Sequence, residues 1–249
     1  MNDKTVVITG GNRGIGLDIT RSFIQAGYKV FIGARQETKV LEELGENVIF
    51  VPTDVRRESH HIKIVNEAIN QTGRLDTYVN NAGFSEWRPI EKIDKKFLEK
   101  IISTNLIGAF WGCKAALAVM KNGSTIINVS SIASKRGSAN NSAYVATKFA
   151  MNGLTQSLAK EHGPRGIRIN GVCPVLIETE GLMQALQSPD SPAAGDPKGF
   201  IDRFAVENAA LKRLPKGQEV GQMCVFLASN LSSGITAQNI NVDCGVFPQ

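Results

Sequence analysis

Two residues four positions apart, Tyr144 and Lys148 in the segment SAYVATK, have side chains that could carry out acid–base chemistry together. Positions i and i+4 lie on one face of a helix, so we expect the ammonium of Lys148 to lie beside the phenol of Tyr144. A nearby cation favours the phenolate and lowers the pKa of the phenol from its ordinary value of about 10. The pair therefore predicts a general acid/base that works near neutral pH. A serine pair, Ser130 and Ser131, lies 13 to 14 residues upstream, at the end of an apolar strand.

A glycine-rich turn near the start of the chain predicts a phosphate site. The β-branched run 5–9 leads into GGNRGIG and then into the helical pattern LDITRSFIQAGY. Gly10, Gly14 and Gly16 stand where the backbone must turn tightly, approach a pyrophosphate and let the helix pack on the strand. The following helix offers its N-terminal N–H groups and positive dipole end. The spacing is G-x3-G-x-G rather than GxGxxG, and a purely structural turn is the alternative.

With these two segments, the chain resembles the short-chain dehydrogenase/reductase family, and the resemblance extends over almost its whole length. TGGNRGIG resembles the family's TGxxxGxG loop. Further family motifs follow in the family's order: Asp54 in VPTDV, NNAG at 80–83, Asn105 in STNLIGAF, INVSS at 127–131, YVATK, Asn170 after GIRI, Pro174, IET at 177–179 and INVDCG near the C-terminus.

The order of apolar segments predicts an α/β fold with one domain over residues 1–249. Apolar runs alternate with helical patterns, which is typical of a parallel sheet covered by helices on both faces. The predicted strands lie near residues 5–9, 28–33, 47–51, 77–80, 124–130, 167–173 and 239–242. The resemblance implies a single-domain Rossmann fold with a doubly wound, seven-stranded parallel sheet. It also implies a substrate lid at about residues 179–212, which include the proline- and glycine-rich stretch 188–199.

Composition and charge exclude several other functions. The net charge is +5, but the basic residues are scattered, so we expect no nucleic-acid partner. The four cysteines and three histidines lack metal-ligand spacing, so we expect no metal site. We expect the cysteines to be buried thiols and the histidines to lie on exposed helix faces or ends; these residues are Cys113, Cys173, Cys224, Cys244, His60, His61 and His162. Because the chain has no targeting segment and no long apolar span, we expect a cytoplasmic protein with no membrane partner.

The end of the second predicted strand indicates the preferred nicotinamide cofactor. An acidic residue there would bind the adenosine ribose 2′-OH, but the chain has Ala34 followed by Arg35. A guanidinium offers a charge-assisted fork to a 2′-phosphate, and Arg13 in the glycine turn is a second cation within reach. We therefore predict NADP(H); the alternative is that both arginines are solvated surface charges.

The resemblance also implies the cofactor contacts. Asp54 would hold the adenine amino group, residues 80–83 would line the adenosine side, and Ile177 with Thr179 would hold the carboxamide. The full set of expected cofactor-binding residues is Gly10, Asn12, Arg13, Gly14, Ile15, Gly16, Arg35, Asp54, Val55, Asn81, Ala82, Gly83, Tyr144, Lys148, Pro174, Ile177 and Thr179.

A catalytic tetrad is implied in the same way. The family's spacing of 13 residues before the tyrosine selects Ser131 over Ser130, and the Ser131 hydroxyl would orient the substrate oxygen. Tyr144 would give a proton to that oxygen, or take one in the reverse direction. Lys148 would bind the ribose hydroxyls of the cofactor and favour the phenolate. Asn105 would help to relay protons to the lysine, although an asparagine in a helical pattern can also simply cap or bend the helix.

The implied activity is a carbonyl reductase or secondary alcohol dehydrogenase, and NADPH favours reduction. A first alternative is a 3-oxoacyl-thioester reductase, for which Lys121, Lys135, Arg136 and Arg165 could form a basic rim around the site. A second is a cofactor-binding sensor without catalysis, which the intact tetrad disfavours. The resemblance implies a homotetramer formed through helices near residues 97–121 and 144–162, with a homodimer as the alternative.

Three further features bear on the shape of the substrate. Val175 and Cys244 stand where the family has glycines, and Val175 adds bulk beside the expected hydride-transfer site. Apolar lid residues could wall a pocket or pack against the body of the protein. These residues are Leu182, Met183, Leu186, Phe200 and Phe204.

Overall fold

A computed structural model describes residues 4–248, and over these residues the chain forms one seven-stranded parallel sheet. The strands are β1 (Thr5–Thr9), β2 (Lys29–Ala34), β3 (Val48–Pro52), β4 (Thr77–Asn80), β5 (Thr125–Val129), β6 (Arg168–Pro174) and β7 (Asn239–Val242). Their order in the sheet is β3-β2-β1-β4-β5-β6-β7. The order reverses between β1 and β4, and in such sheets the crevice at the carboxyl ends of these strands is where ligands bind. The predicted doubly wound Rossmann fold is therefore confirmed.

The described residues contain eight α-helices, most of which pack on the two faces of the sheet. They are α1 (Gly14–Gln25), α2 (Glu58–Thr72), α3 (Lys95–Ile102), α4 (Gly108–Leu117), α5 (Ser142–His162), α6 (Glu180–Leu186), α7 (Pro197–Asn208) and α8 (Gly217–Ala228). Side chains of β1 alternate between the faces, as the strand geometry requires. Val6 and Ile8 join a core cluster with α1 and α8, whereas Val7 joins a cluster with α2, α4 and α5.

The helical stretch predicted near residues 97–121 contains an irregular turn. Between α3 and α4, Ser103–Ile107 forms a π-helical segment, and the backbone continues into α4 with right-handed helical dihedrals. A π segment adds one residue to the helical turn and is frequent at functional sites. Here it contains Asn105, whose side chain is completely buried.

Helices α6 and α7 form a separate layer beside the carboxyl ends of the strands. Leu186 and Ile201 are buried in a small apolar cluster with Trp87 and Ala193. The loop between the two helices is fastened to the body of the protein at Asp190. Its carboxylate forms an ion pair with Lys92 at 2.7 Å, and its carbonyl accepts a hydrogen bond from the Asn140 amide.

Two expectations about buried residues need correction. His61 is completely buried rather than exposed, because it lies on the same face of α2 as Ile64, Val65 and Ala68. Cys113, Cys173 and Cys224 are buried, as expected, but Cys244 is partly exposed, in a turn after β7.

Candidate active site

The carboxyl ends of β1, β4 and β5 bring the predicted catalytic and cofactor residues to one edge of the sheet. The glycine turn follows β1, residues 81–83 follow β4, and Ser131 follows β5. Helix α5 contributes Tyr144 and Lys148 from its first two turns. The structure thus groups segments that are far apart in the sequence, which is the arrangement that a crevice for a nucleotide and a substrate requires.

Lys148 is buried beside Tyr144. Its ammonium lies 5.6 Å from the centroid of the tyrosine ring and donates a hydrogen bond of 2.8 Å to the carbonyl of Val129, the last residue of β5. Burial disfavours the charged form, so the pKa of Lys148 is lowered from 10.5 to about 8. A lysine with such a pKa can lose or regain its proton under mildly alkaline conditions.

The pKa of Tyr144 shifts in the direction opposite to the one expected from the sequence. Burial raises the pKa of the phenol, and a hydrogen bond with the Ser131 side chain opposes this rise only partly. The expected lowering by Lys148 does not dominate, because the lysine ammonium is turned to the Val129 carbonyl and its own charge is disfavoured by burial. In this structure Tyr144 is therefore a protonated phenol at neutral pH.

Asn105 connects the segment after β4 with α5. Its side-chain oxygen accepts a hydrogen bond of 3.0 Å from the Phe84 N–H, and its amide nitrogen donates one of 2.9 Å to the Phe84 carbonyl. The same nitrogen donates to the hydroxyl of Thr147, which in turn donates to the Tyr144 carbonyl. Asn105 therefore holds the backbone on both sides of the site. Its predicted part in a proton relay stays a prediction.

The glycine turn has the form that a pyrophosphate needs. Gly10 and Gly14 have φ of +67° and +51°, which favour glycine, and a Cβ on Gly16 would collide with the Gly10 carbonyl. Arg13 is the N-cap residue of α1, but its side chain gives no capping hydrogen bond, and the first turn of the helix has no acidic residue. The N–H groups at this helix end are thus left for an anion, which fits the phosphates of a dinucleotide.

The cationic residues expected near the adenosine are arranged around this turn. Arg13 and Arg35 are exposed, and neither forms an ion pair with another residue in the range 4–248. Asn12 lies between them, because its amide donates to the Gln36 carbonyl and its own carbonyl accepts from Thr38. The loop after β2 and the glycine turn therefore lie side by side, with the guanidinium of each available to a ligand.

Asp54 and Val55 form the turn after β3. The Asp54 carboxylate binds the Arg56 guanidinium through both oxygens, and this hydrogen-bonded pair holds the pKa of Asp54 at about 2. Val55 is buried. The predicted contact of Asp54 with the adenine amino group stays a prediction, and the carboxylate would make it while bound to Arg56.

The segment after β4 is tied to β1. The Asn81 amide donates to the carbonyls of Thr9 and Gly10, and the N–H groups of Asn81 and Ala82 both donate to the Thr9 hydroxyl. Gly83 follows, and a Cβ there would lie 3.2 Å from the Asn105 oxygen. These contacts place the NNAG segment directly against the glycine turn.

The residues expected around the nicotinamide follow β6. Pro174 ends the strand, Ile177 is buried, and Thr179 is the N-cap residue of α6, where its hydroxyl accepts from the Leu182 N–H. A Cβ on Gly14 would lie 3.6 Å from the Thr179 methyl group. The segment after β6 therefore lies close to the glycine turn at Thr179.

The two positions where the chain departs from the family pattern differ in their consequences. Val175 is partly exposed, directly after β6. Cys244 has φ of +53°, the left-handed conformation that glycine adopts without strain. The cysteine therefore has a backbone conformation that a glycine would adopt without strain.

Sequence reasoning missed two residues that support the site. Thr147 links Asn105 to the backbone of Tyr144. The one sign of this role in the sequence is that Thr147 lies a single helical turn after Tyr144 on α5. Trp87 is the buried centre of the cluster beneath α6 and α7. An aromatic residue four positions after the NNAG segment was a usable signal for this contact.

The comparisons with known proteins agree with this architecture. Residues 10–247 match the family described as enoyl-(acyl carrier protein) reductase. The chain is 31% identical to L-2,3-butanediol dehydrogenase of Corynebacterium glutamicum, over 98% of each chain. It is 34% identical to 3-oxoacyl-(acyl-carrier-protein) reductase of Chlamydia pneumoniae, over 98% of this chain and 96% of the relative. It belongs to the short-chain dehydrogenase/reductase family.

Solved structures of short-chain dehydrogenases/reductases show the same fold. A variant of actinorhodin polyketide ketoreductase with NADPH superposes with a TM-score of 0.90 at 27% identity, over 98% of this chain and 97% of that one. As a short-chain dehydrogenase/reductase, the chain is an oxidoreductase that acts on alcohol and carbonyl groups with a nicotinamide cofactor. No helix within residues 4–248 is long and apolar enough to cross a membrane.

Proposed function

We propose that the protein is an NADP(H)-dependent reductase of ketones that also oxidises the corresponding secondary alcohols. The observation that carries this proposal is the cluster of Ser131, Tyr144 and Lys148 next to a glycine turn whose helix end is left for phosphate. A bound nicotinamide supplies hydride transfer to or from the substrate carbon. Everything else that the reaction needs is position and proton transfer, which the side chains of the cluster can provide.

Each residue of the cluster has a distinct part. The Ser131 hydroxyl orients the substrate oxygen, and the Tyr144 phenol gives that oxygen its proton during reduction. The raised pKa of Tyr144 favours the protonated form that this direction requires. Lys148 binds the ribose hydroxyls and, with its pKa lowered to about 8, returns a proton to the phenol after reduction.

The preference for NADP(H) over NAD(H) is supported by charge. Ala34 ends β2 without a carboxylate that would repel a 2′-phosphate. Arg13 and Arg35 are exposed on either side of Asn12, at the place where the adenosine ribose would lie. Two guanidinium groups around one phosphate give charge-assisted hydrogen bonds that a ribose 2′-OH cannot match.

A small free ketone is the substrate class that the described contacts favour. Of the residues that could form a basic rim for an acyl carrier, Arg165 donates to the carbonyls of Leu117 and Met120, and Lys135 donates to the Asn239 carbonyl. Both cations are thus occupied by the protein's own backbone. The reduction of 3-oxoacyl thioesters remains the second candidate because of the relative in Chlamydia pneumoniae.

In the proposed enzyme, residues 179–212 form a lid that controls the access of the substrate. Leu186 packs on Trp87, with Leu182, Met183 and Phe200 at the edge of this cluster, and Phe204 packs on Phe200 with ring centroids 5.8 Å apart. The ion pair of Asp190 with Lys92 closes the loop over the body. An apolar lid held by one ion pair suits a ligand that is small and weakly polar.

A homotetramer, or at least a homodimer, is the proposed assembly. The outer faces of α4 and α5 expose Phe110 and Phe149 to 49% and 47%, and Ile107, shortly before Phe110 in the sequence, is 38% exposed. Large exposed apolar side chains on neighbouring helices are typical of surfaces that another chain covers.

The test of the activity is the oxidation of NADPH, followed by absorbance, with free ketones and 3-oxoacyl thioesters and with NADH in parallel. We expect turnover of free ketones, with NADPH preferred. Turnover of thioesters alone would make the second candidate the function. Tight NADPH binding without turnover of either class would contradict the catalytic proposal and favour a sensor.

A further inference from the structure

Two adjacent histidines hold the turn that follows β3. The Nδ1 atom of His60 accepts a hydrogen bond of 3.0 Å from the Asp54 N–H. The Nε2 atom of His61 lies 2.8 Å from the Val55 carbonyl. The two histidines thus bind backbone groups of consecutive residues: the N–H of Asp54 and the carbonyl of Val55. Both histidines lie in the first turns of α2, so they fix this turn to the helix that follows it.

The chemistry of its neighbours determines the tautomer of His61. The Nδ1 atom lies 2.7 Å from the Tyr78 hydroxyl, and burial raises the pKa of that phenol, which therefore stays protonated. A carbonyl can only accept, so Nε2 carries the proton that Val55 receives, and Nδ1 accepts the proton of Tyr78. Burial also lowers the pKa of His61, which keeps the ring neutral. Every polar atom of the ring then has a partner of the correct kind.

Val55 is confined on its other side by α4. A Cβ on Gly108 would lie 3.1 Å from the Cβ, a methyl group and the carbonyl oxygen of Val55, so any larger residue there would press on Val55. An ion pair of 2.7 Å between Glu58 and Lys114 also joins the start of α2 to α4. The turn is thus enclosed between α2 and α4, and the histidines bind its backbone through one hydrogen bond each.

We propose that His60 and His61 are positioning residues for the adenine half of the cofactor, with His61 the more important of the two. This inference rests on the proposed NADP(H) site, in which Asp54 holds the adenine amino group and the adjacent Val55 is a further cofactor-binding residue. Neither histidine touches the reacting atoms. Their effect is to hold the backbone of the turn where the adenine must meet it. The loss of one such hydrogen bond corresponds to about a three- to tenfold weaker affinity.

The experiment measures the binding of each half of the cofactor with its own probe. Adenosine 2′,5′-bisphosphate probes the adenine half by calorimetry, and reduced nicotinamide mononucleotide probes the reactive half as a hydride donor. We expect His61→Leu to weaken the bisphosphate and NADPH by the same factor, about three- to tenfold. We expect kcat at saturating NADPH, and turnover with the mononucleotide, to stay at the wild-type values.

Three further variants keep the test decisive. Ile64→Ala removes buried volume from the same face of α2 without touching the turn, and it controls for loss of stability. His61→Gln can still donate to Val55 and accept from Tyr78, so it should restore most of the affinity. His60→Ala should weaken the affinity for the bisphosphate by a smaller factor. This variant replaces His61→Leu as the test if His61→Leu does not fold.

The outcomes distinguish the positioning role of the histidines from the cofactor site itself. If the His61 variants bind the bisphosphate as well as wild type does, or no worse than Ile64→Ala does, the positioning role is wrong while the cofactor site stands. An equal loss with the mononucleotide also overturns it, because the effect is then not confined to the adenine half. If the wild-type protein binds neither NADPH nor the bisphosphate, the proposed cofactor site itself is wrong, and the inference falls with it.

Discussion

Lys148 is buried and its neighbour Tyr144 is partly buried, and their pKa values shift in opposite directions. Burial raises the pKa of the phenol and lowers that of the ammonium, because it disfavours the charged form of each. The two values therefore move apart: the phenol, with a pKa raised from 10.0, holds its proton more tightly than the ammonium, whose pKa falls from 10.5 to about 8. A phenolate left after proton donation would therefore take a proton from the Lys148 ammonium, and burial of the two groups sets this direction of transfer.

Replacing Tyr144 with phenylalanine tests the proton donor. We expect Tyr144→Phe to lower turnover by about 10²- to 10⁴-fold, the usual contribution of general acid–base catalysis, with NADPH affinity nearly unchanged. Steady-state kinetics and a fluorescence titration with NADPH measure the two quantities. Tyr28→Phe removes a buried phenol from the opposite, amino-terminal end of the sheet and serves as the control. Turnover that survives in Tyr144→Phe would exclude the phenol as donor.

The depressed pKa of Lys148 also predicts how the stability depends on pH. The unfolded chain binds this proton up to a pH of about 10.5, but the folded protein releases it near 8. Between these values the unfolded state holds more protons, so the contribution of Lys148 to the free energy of unfolding rises with pH. The cost of the buried charge is fully present below pH 8 and is gone above about 10.5.

Denaturant unfolding of Lys148→Met, without nucleotide, measures this contribution. The free energy of unfolding of wild type minus that of the variant should increase by about 2–3 kcal/mol from pH 7.5 to 10.5. Lys160→Met changes an exposed lysine further along α5 and should show no such trend. A flat difference for Lys148→Met would mean that the ammonium is not desolvated.

At the scale of the elements, the glycine turn depends on the close packing of α1 against β1 and β4. A Cβ on Gly16 would collide with the Gly10 carbonyl and with the Asn81 amide. We expect Gly16→Ala to displace the turn, lower the free energy of unfolding by about 1–3 kcal/mol and weaken NADPH strongly. In Gly181→Ala, on α6, the new Cβ has no neighbour within 4 Å, so stability should stay within about 1 kcal/mol. Thermal unfolding and cofactor titration of both variants make the comparison; equal behaviour would contradict the packing argument.

The charge on the two segments beside this turn predicts cofactor preference. We expect the double variant Arg13→Ala, Arg35→Ala to weaken NADPH by about 10²- to 10⁴-fold, because hydrogen bonds to charged groups contribute about 1.5–3 kcal/mol each. The affinity for NADH should change little. Arg21→Ala, an exposed arginine further along α1, is the matched control. Equal losses for both cofactors would rule out the assignment to a 2′-phosphate.

The strands could be predicted from the sequence almost to the residue, whereas other elements could not. The segments 5–9, 77–80 and 239–242 coincide with β1, β4 and β7, because strands covered on both faces appear as short apolar runs between turns. The π segment around Asn105 was missed because its residues fit an ordinary helical pattern. The burial of His61 was missed although its spacing to Ile64 and Val65 places it on the apolar face of α2.

The candidate site could be predicted as a set of positions but not as a set of electrostatic environments. The order of the motifs indicates that Ser131, Tyr144 and Lys148 meet at the sheet edge. The sequence cannot show that Lys148 turns to the Val129 carbonyl, nor how deeply it is buried, and these two facts set the pKa values. The support that Thr147 gives to Asn105 likewise depends on contacts formed only in the folded chain.

At the scale of the whole molecule, the outer faces of α4 and α5 determine the proposed assembly. We expect Phe149→Glu to shift the protein to smaller oligomers, because a carboxylate at an apolar interface is costly to desolvate. Analytical ultracentrifugation measures the mass. Leu231→Glu changes a side chain that is 84% exposed elsewhere on the molecule and should leave the assembly intact. A protein that is monomeric before either substitution would contradict the proposal directly.

The π segment between α3 and α4 links this outer surface to the interior of the protein. Each residue added to or removed from a helix rotates everything beyond it by roughly 100° about the axis. A single-codon deletion within Ser103–Ile107 would restore regular winding, yet it would turn either the amide of Asn105 away from Phe84 or the aromatic ring of Phe110 away from the surface. Substitutions can therefore change the interior and the outer face one at a time, whereas an insertion or deletion here changes the angle between them, so that at most one of the two keeps its place.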